Sequence, residues 1–216
     1  MLLRAMTLGL LALPTSAALG EGQAVGLKVG ALGLGAEYTY ELTERIALRG
    51  GLYGSQLGLD ADEGGIDYEV DLVWDSLSAG VDFHPLKSAL RLSIGLLKND
   101  NALELVSRPS GNVTVGDTTY TPAQIGTLTG GIRFDDTATF AGVGWDWSRD
   151  ASLFGMSLDI GLLDQGDPVV TLRGNGTLLG NPSFEQDIRA EEVELAAEAS
   201  DFDLVPFLSV GFQFRF

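Results

Sequence analysis

The chain has 216 residues, with 13 basic and 30 acidic side chains, a formal charge of −17 and no cysteine. Such acidity excludes a nucleic-acid binder, because phosphates demand neutralising cations, and the lack of cysteine excludes a disulfide-stapled scaffold. Glycine, at 29 residues, lies well above its usual ~7% share and suits a narrow, tightly curved sheet.

The chain opens with a basic start at Met1–Arg4 and an apolar run from Ala5 to Leu13. Pro14 and the small residues Ser16-Ala17-Ala18 follow. This pattern predicts a cleaved secretory signal over residues 1–18, leaving 19–216 as one domain. The apolar run is too short for a membrane helix, which needs about 20 residues. No later segment supplies one, so any membrane span must be built of strands.

Alternation of apolar and polar residues with period two then recurs along the chain. Residues 22–30 read as a short strand, with Val25, Leu27 and Val29 on one face and Lys28 on the other. Three hairpins with tight connections follow. In the first, Leu32 to Leu42 leads through Thr43-Glu44-Arg45 to Ile46, Leu48, Gly50 and Leu52. In the second, Leu77 to Phe83 leads through His84-Pro85-Leu86-Lys87 to Leu90, Leu92, Ile94 and Leu96. The third runs from Thr139 to Trp147, through Ser148-Arg149-Asp150, to Phe154, Met156, Leu158, Ile160 and Leu162. A C-terminal strand, with Leu204 to Phe216 alternating, brings the count to eight. A rival reading joins 23–42 into one strand and makes 167–179 another, which would reverse the orientation.

In most of these strands the apolar phase changes roughly ten residues from the tight turn. The changes fall near Gly30-Ala31, which becomes a turn if 22–30 is a separate strand, and near Tyr53-Gly54, Asp75-Ser76, Lys98-Asn99 and Asp135-Asp136. A slip of one residue predicts a bulge or twist at each place. About 9–11 residues cross the hydrocarbon as a tilted strand, so the turn-proximal halves form the membrane band and the distal halves continue beyond it. The distal connections are long. One carries a small hairpin at Val115-Gly116-Asp117-Thr118. Another carries an acidic amphipathic helix at about 182–199, capped by Asn181, with Phe184, Ile188, Leu195 and Phe202 as its stripe.

These features predict an all-β fold, an antiparallel up-and-down transmembrane barrel of eight strands with one helix in a long loop. Short turns would face the periplasm and long loops the exterior. The last residues, Ser209-Val210-Gly211-Phe212-Gln213-Phe214-Arg215-Phe216, follow the pattern polar-x-Gly-x-x-aromatic-x-aromatic. This octet resembles the sorting signal of Gram-negative outer-membrane barrels, and the chain resembles the small barrels of the OmpA, OmpX and OmpW kind. That resemblance implies an outer-membrane location, lipid and lipopolysaccharide as surroundings, and recognition of Gly211, Phe214 and Phe216 by the barrel-assembly machinery.

With the apolar sets outward, Glu37, Glu41, Arg49, Asp82, Arg91, Asp146, Asp159 and Arg215 face the lumen. Eight strands leave an interior that side chains can fill, and opposite charges there would pair into a polar core. Asp60, Asp62, Glu63, Asp67, Glu69 and Asp71 form one acidic patch, and the helix forms a second. Hard divalent cations would suit such carboxylates, but no fixed ligand spacing marks a site, and solvated loops that repel aggregation explain them better. His84, with Ser76, Ser78 and Asp82 on its face, is the sole histidine and a weak candidate for hydrolysis. The sequence therefore points to a non-enzymatic barrel without a cofactor, with a narrow or plugged lumen, serving envelope integrity or surface interaction. A channel for small apolar compounds and a soluble secreted ligand-binding barrel are the alternatives.

Overall fold

The computed structural model describes residues 22–63, 66–149 and 153–216. The expected signal segment lies outside the described residues. The barrel strands are β1 (Gln23–Gly30), β2 (Gly33–Thr43), β3 (Ile46–Glu63), β4 (Ile66–Phe83) and β5 (Leu90–Asn99). Outside the barrel come β6 (Ala102–Pro109), the small hairpin β7 (Val113–Val115) and β8 (Thr118–Tyr120), α1 (Pro122–Ile125) and β9 (Leu128–Arg133). The chain returns through β10 (Thr137–Asp146) and β11 (Phe154–Asp164), leaves for β12 (Val169–Gly174) and α2 (Pro182–Ala199), and ends in β13 (Leu204–Arg215).

Antiparallel pairing runs β1–β2–β3–β4–β5–β10–β11–β13 and back to β1, which closes an eight-stranded barrel. The first strand is separate, as expected, over Gln23–Gly30, and the slip at Gly30-Ala31 is the β1–β2 turn. Gln23 and Phe216 exchange backbone hydrogen bonds, so the two described termini meet at the tight-turn end. Closure satisfies every edge inside the barrel, which is the condition for strands to stand in lipid. The outer face is apolar: Leu27, Leu48, Leu77, Ile94, Ile160 and Phe212 are all exposed. Among the described residues no helix is long and apolar enough to cross a membrane, and the strands carry the span.

Strands β3 and β4 outrun the barrel. Their distal halves pair with β6, then β9, then β12, and raise a five-stranded wall above one side of the rim. The segment 167–179, which the rival reading placed in the barrel, instead contributes β12 to this wall. The slips expected at Tyr53-Gly54 and Asp75-Ser76 are not bulges, and those expected near Lys98-Asn99 and Asp135-Asp136 fall at breaks between separate strands, β5 from β6 and β9 from β10. The β3–β4 ladder keeps one register from Ile46↔Phe83 to Glu63↔Ile66, through Tyr53↔Ser76 and Gly54↔Asp75. What changes is the polarity of the two faces. Ser76, Ser78 and Asp82 share a face with Leu72 and Val70, because all are even-numbered residues of one strand. The inner face is polar in the barrel and apolar in the wall. Glu104, Arg133 and Arg173 on the outer wall face are exposed, where the barrel carries leucine and isoleucine. The switch marks the level at which hydrocarbon gives way to water.

Helix α2 covers the apolar wall. Asn181 accepts backbone hydrogen bonds from Ser183 at 3.0 Å and Phe184 at 3.3 Å, and Pro182 occupies the first turn. These features start the helix where the sequence places it. Phe184 and Ile188 pack with Val170, Leu172, Val115, Tyr120 and Ile125 in the larger apolar cluster. The Tyr120 and Phe184 rings meet edge to face at 5.1 Å.

Candidate functional site

Among the described residues, ten charged side chains occupy the lumen. Glu37 and Glu41 come from β2, Asp82 from β4, Asp146 from β10 and Asp159 from β11. Lys28 of β1, Arg49 of β3, Arg91 of β5 and Arg215 of β13 answer them, with Arg149 from the tight turn after β10. All eight residues expected at lumen positions lie in this group, together with Lys28 and Arg149.

The upper tier is buried. Lys28 bridges Glu37 at 2.8 Å and also holds Asp159. Arg49 reaches Asp82 at 3.2 Å, Glu37 at 3.5 Å and Asp159 at 3.6 Å. Arg91 donates to Asp159 at 2.6 Å and lies 3.7 Å from Asp146. Tyr53 donates to Glu37, and Ser93 donates to Asp82 at 2.6 Å. Arg91, Asp82 and Asp146 are each 1% exposed, so each charge depends on its partners rather than on water. Gly144 makes room here, since a Cβ on it would lie 2.4 Å from Asp159 Oδ1 and 2.7 Å from Arg91 Nε.

The lower tier opens toward the tight turns. Arg215 pairs with Glu41 and reaches Asp146 at 3.1 Å, while Arg149 donates to Glu41 at 2.5 Å. Five carboxylates thus meet five cations. Among the described residues the lumen is therefore balanced, and the excess of acid lies elsewhere.

Above the network the lumen turns apolar. Leu97, Ala138 and Leu163 are buried together, and Leu32, Phe140, Val205 and Phe207 pack on them. Phe140 and Phe207 meet edge to face at 6.3 Å. Gly95 is required beneath Phe140, because a Cβ there would come within 2.5 Å of the ring. A void of about 30 Å³ separates this layer from Lys28, Glu37, Arg49 and Asp159, room for a water molecule or two.

Beyond the apolar layer lies a much larger cup of about 500 Å³. Leu163 and Phe207 form its floor, Leu72, Leu103 and Ile132 its wall, and Leu195, Ala199 and Phe202 its roof. The same pattern that reveals α2 and the wall also contains the cup, but only their assembly shows that they enclose space.

The acidic helix is partly structural. Asp187 accepts from the Tyr120 hydroxyl at 2.5 Å, Glu191 from the Gly116 amide at 2.8 Å, and Glu192 from the Leu172 amide at 2.7 Å. The Tyr120 hydroxyl, with help from Thr118, holds the Asp187 carboxyl below its ordinary value. In the patch on β3 and β4, Glu69 lies 3.6 Å from Arg108 across the wall. The side chains of Asp62, Glu63 and Asp67 lie outside the described residues. Among the described residues no three carboxylates or imidazoles gather as a metal site would require.

His84 is 2% exposed, and its Nδ1 lies 3.1 Å from the Ser88 carbonyl. Burial and the Arg149 charge lower its pKa. Ser78 and Ser76 stand six and eight residues up the same strand. At about 3.3 Å of rise per residue, each is roughly 20 Å or more away, too far for a nucleophile and its base. Of the proposed assembly signal, Gly211 faces the lumen between Lys28 and Ser157. Phe214 is turned outward, 5.2 Å from Phe216.

The fold is that of the small eight-stranded barrels of the Gram-negative outer membrane. Among these, the chain is similar to the solved structure of CarO from Acinetobacter baumannii, at 20% identity and a TM-score of 0.62. The match covers 93% of this chain and all of that one, 100%. CarO2 of the same organism is similar at 18% identity and a TM-score of 0.62, over 91% of this chain and 99% of that one. No protein-family model and no curated sequence matches the chain. At such identity the likeness carries the fold, and the roles of individual residues rest on their geometry.

Proposed function

We propose that the protein is a non-enzymatic outer-membrane barrel whose lumen is sealed and whose working surface is the wall and helix raised above the lipid. The observation that carries this reading is the sequence of two closures along the axis. A charge-balanced network spans the lumen, and an apolar layer lies directly above it. An ion entering from the cup would have to lose its water in the apolar layer and then displace paired charges, and each step is costly. The two closures speak against the channel reading, which needs a continuous path. The apolar outer belt speaks against a soluble barrel, because water would face leucine and isoleucine on all sides. The separation of His84 from both serines speaks against hydrolysis.

With the tight turns toward the periplasm, the wall stands outside the cell, placed for surface interaction and for contact with lipopolysaccharide. The C-terminal residues Gly211, Phe214 and Phe216 act before closure, when β13 still offers a free edge to the assembly machinery by strand addition. In the finished barrel that edge is consumed by β1 and β11. Planar bilayers test the sealed lumen: the purified protein should give no unitary conductance steps, and steady steps of one size would overturn the reading.

A further inference from the structure

We infer that the cup above the barrel is a binding site for a small amphipathic cation, an apolar body carrying a basic nitrogen. This goes beyond the sealed lumen and does not depend on it, since the cup lies on the outer side of the apolar layer. Its volume of about 500 Å³ falls within the ~300–1,000 Å³ of small-molecule sites, which are mostly apolar with few polar groups. Most of the lining here is aliphatic or aromatic, and the polar side chains at the edge are Asn101, Gln165 and Glu198.

Two of those three are already engaged. Asn101 accepts the Asp75 amide at 2.9 Å, and Gln165 donates to the Phe202 carbonyl at 3.2 Å. Glu198 is exposed and lines the cup, and none of the described residues that line it is basic. Glu194 and Asp201 flank it on the same roof element. An anionic amphiphile would therefore meet carboxylate with no counter-charge, whereas a cation would be drawn in.

Aromatic faces strengthen that preference. Trp74, Phe134, Phe202 and Phe207 all border the space, and an aromatic face attracts an ammonium or guanidinium through its quadrupole. Trp74 is fixed there by its indole nitrogen, which donates to the Ala31 carbonyl at 2.9 Å. The roof comes from the end of α2 and the turn that follows, where Phe202 is 60% exposed. A ligand would bury that ring and so close the roof over itself.

The test uses the full protein in phosphatidylcholine nanodiscs, with empty nanodiscs as background. Three probes share one apolar body: 4-phenylbutylammonium, 4-phenylbutanol and 4-phenylbutyrate. Calorimetric titration should give saturable binding, with the cation at least fivefold tighter than the alcohol and the acid weakest. Glu198→Gln should remove most of the preference for the cation while sparing the alcohol. Ala199→Phe and Leu195→Trp fill the cup from the roof, and each should weaken all three probes at least tenfold. Heat-modifiable gel migration shows that a variant has folded, and either folded variant suffices. Equal binding of the three probes, partition no greater than into empty nanodiscs, or unchanged cation binding in a folded, filled variant would each overturn the proposal.

Discussion

The lower and upper halves of β4 run on one strand with one register, yet they live in opposite environments. Below Asp75 toward the tight turn, the inward face carries Ser76, Ser78 and Asp82, and the outward face carries Leu77 and Val81. Above it, Leu72 and Trp74 line the cup, while the outer face of the wall is charged. The strand does not turn over; its surroundings do. In the barrel, lipid lies outside and a charge network inside, so the apolar set points out. In the wall, water lies outside and helix α2 inside, so the apolar set points in. Strand polarity therefore reports which face meets water, and inferring a register slip from it assumes that the environment is constant.

Breaking the lumen network should have the largest effect. Arg91→Ala leaves Asp159 and Asp146 short of a partner inside the barrel. Removing one member of a buried pair costs about 3–5 kcal/mol, which urea unfolding in lipid vesicles would read. The helix over the wall has a ready contrast in Arg189→Ala, which removes a surface pair with Glu185 at 3.8 Å and should cost no more than ~0.5 kcal/mol. A comparable loss in both variants would erase the distinction between the halves.

The outer faces allow the next comparison. Ile94, exposed in the belt and paired with Val81 and Ala141, should resist arginine by about 2–4 kcal/mol if it faces hydrocarbon. Thr171→Arg on the outer face of the wall should be nearly neutral, within ~0.5 kcal/mol. The same unfolding assay compares them directly, and equal penalties would place both faces in one medium.

Smaller effects probe the helix over the wall. Asn181→Ala removes the cap from two amides and should cost about 1 kcal/mol, seen as faster hydrogen exchange in α2 with β1–β5 unchanged. Docking should also loosen in acid. The Asp187 carboxyl is held below its ordinary value in the folded state. Its contribution is therefore present above the unfolded value and is lost as pH falls through the folded one. Exchange of α2, corrected for intrinsic rates, should rise on moving from neutral pH to about pH 3. Asp187→Asn should largely remove that dependence.

Much of this was legible in the residues. Periodicity exposed the tight hairpins, the separate first strand and the lumen set, because each barrel strand has one face in lipid and one in a polar interior. Asn181-Pro182 announced the helix. The wall was harder to read, since β6, β9 and β12 are short and find their partners across long connections. Arg149 was hidden because a turn residue carries no alternation, although it reaches back to Glu41 and to the Glu44 carbonyl at 2.9 Å. The cup left no signal of its own. Its lining comes from many elements, each with an ordinary apolar stripe, and only their placement leaves a space.

Cysteine scanning along the inner face of β4 tests the central claim most directly, because the chain has no cysteine of its own. Ser78→Cys in the lumen and Leu72→Cys in the cup would be exposed, in nanodiscs, to a small charged methanethiosulfonate reagent. If one continuous face passes from a sealed lumen into an open cup, Leu72→Cys reacts readily and Ser78→Cys stays protected until the protein is unfolded. Ready modification of Ser78→Cys in the folded protein would contradict the account.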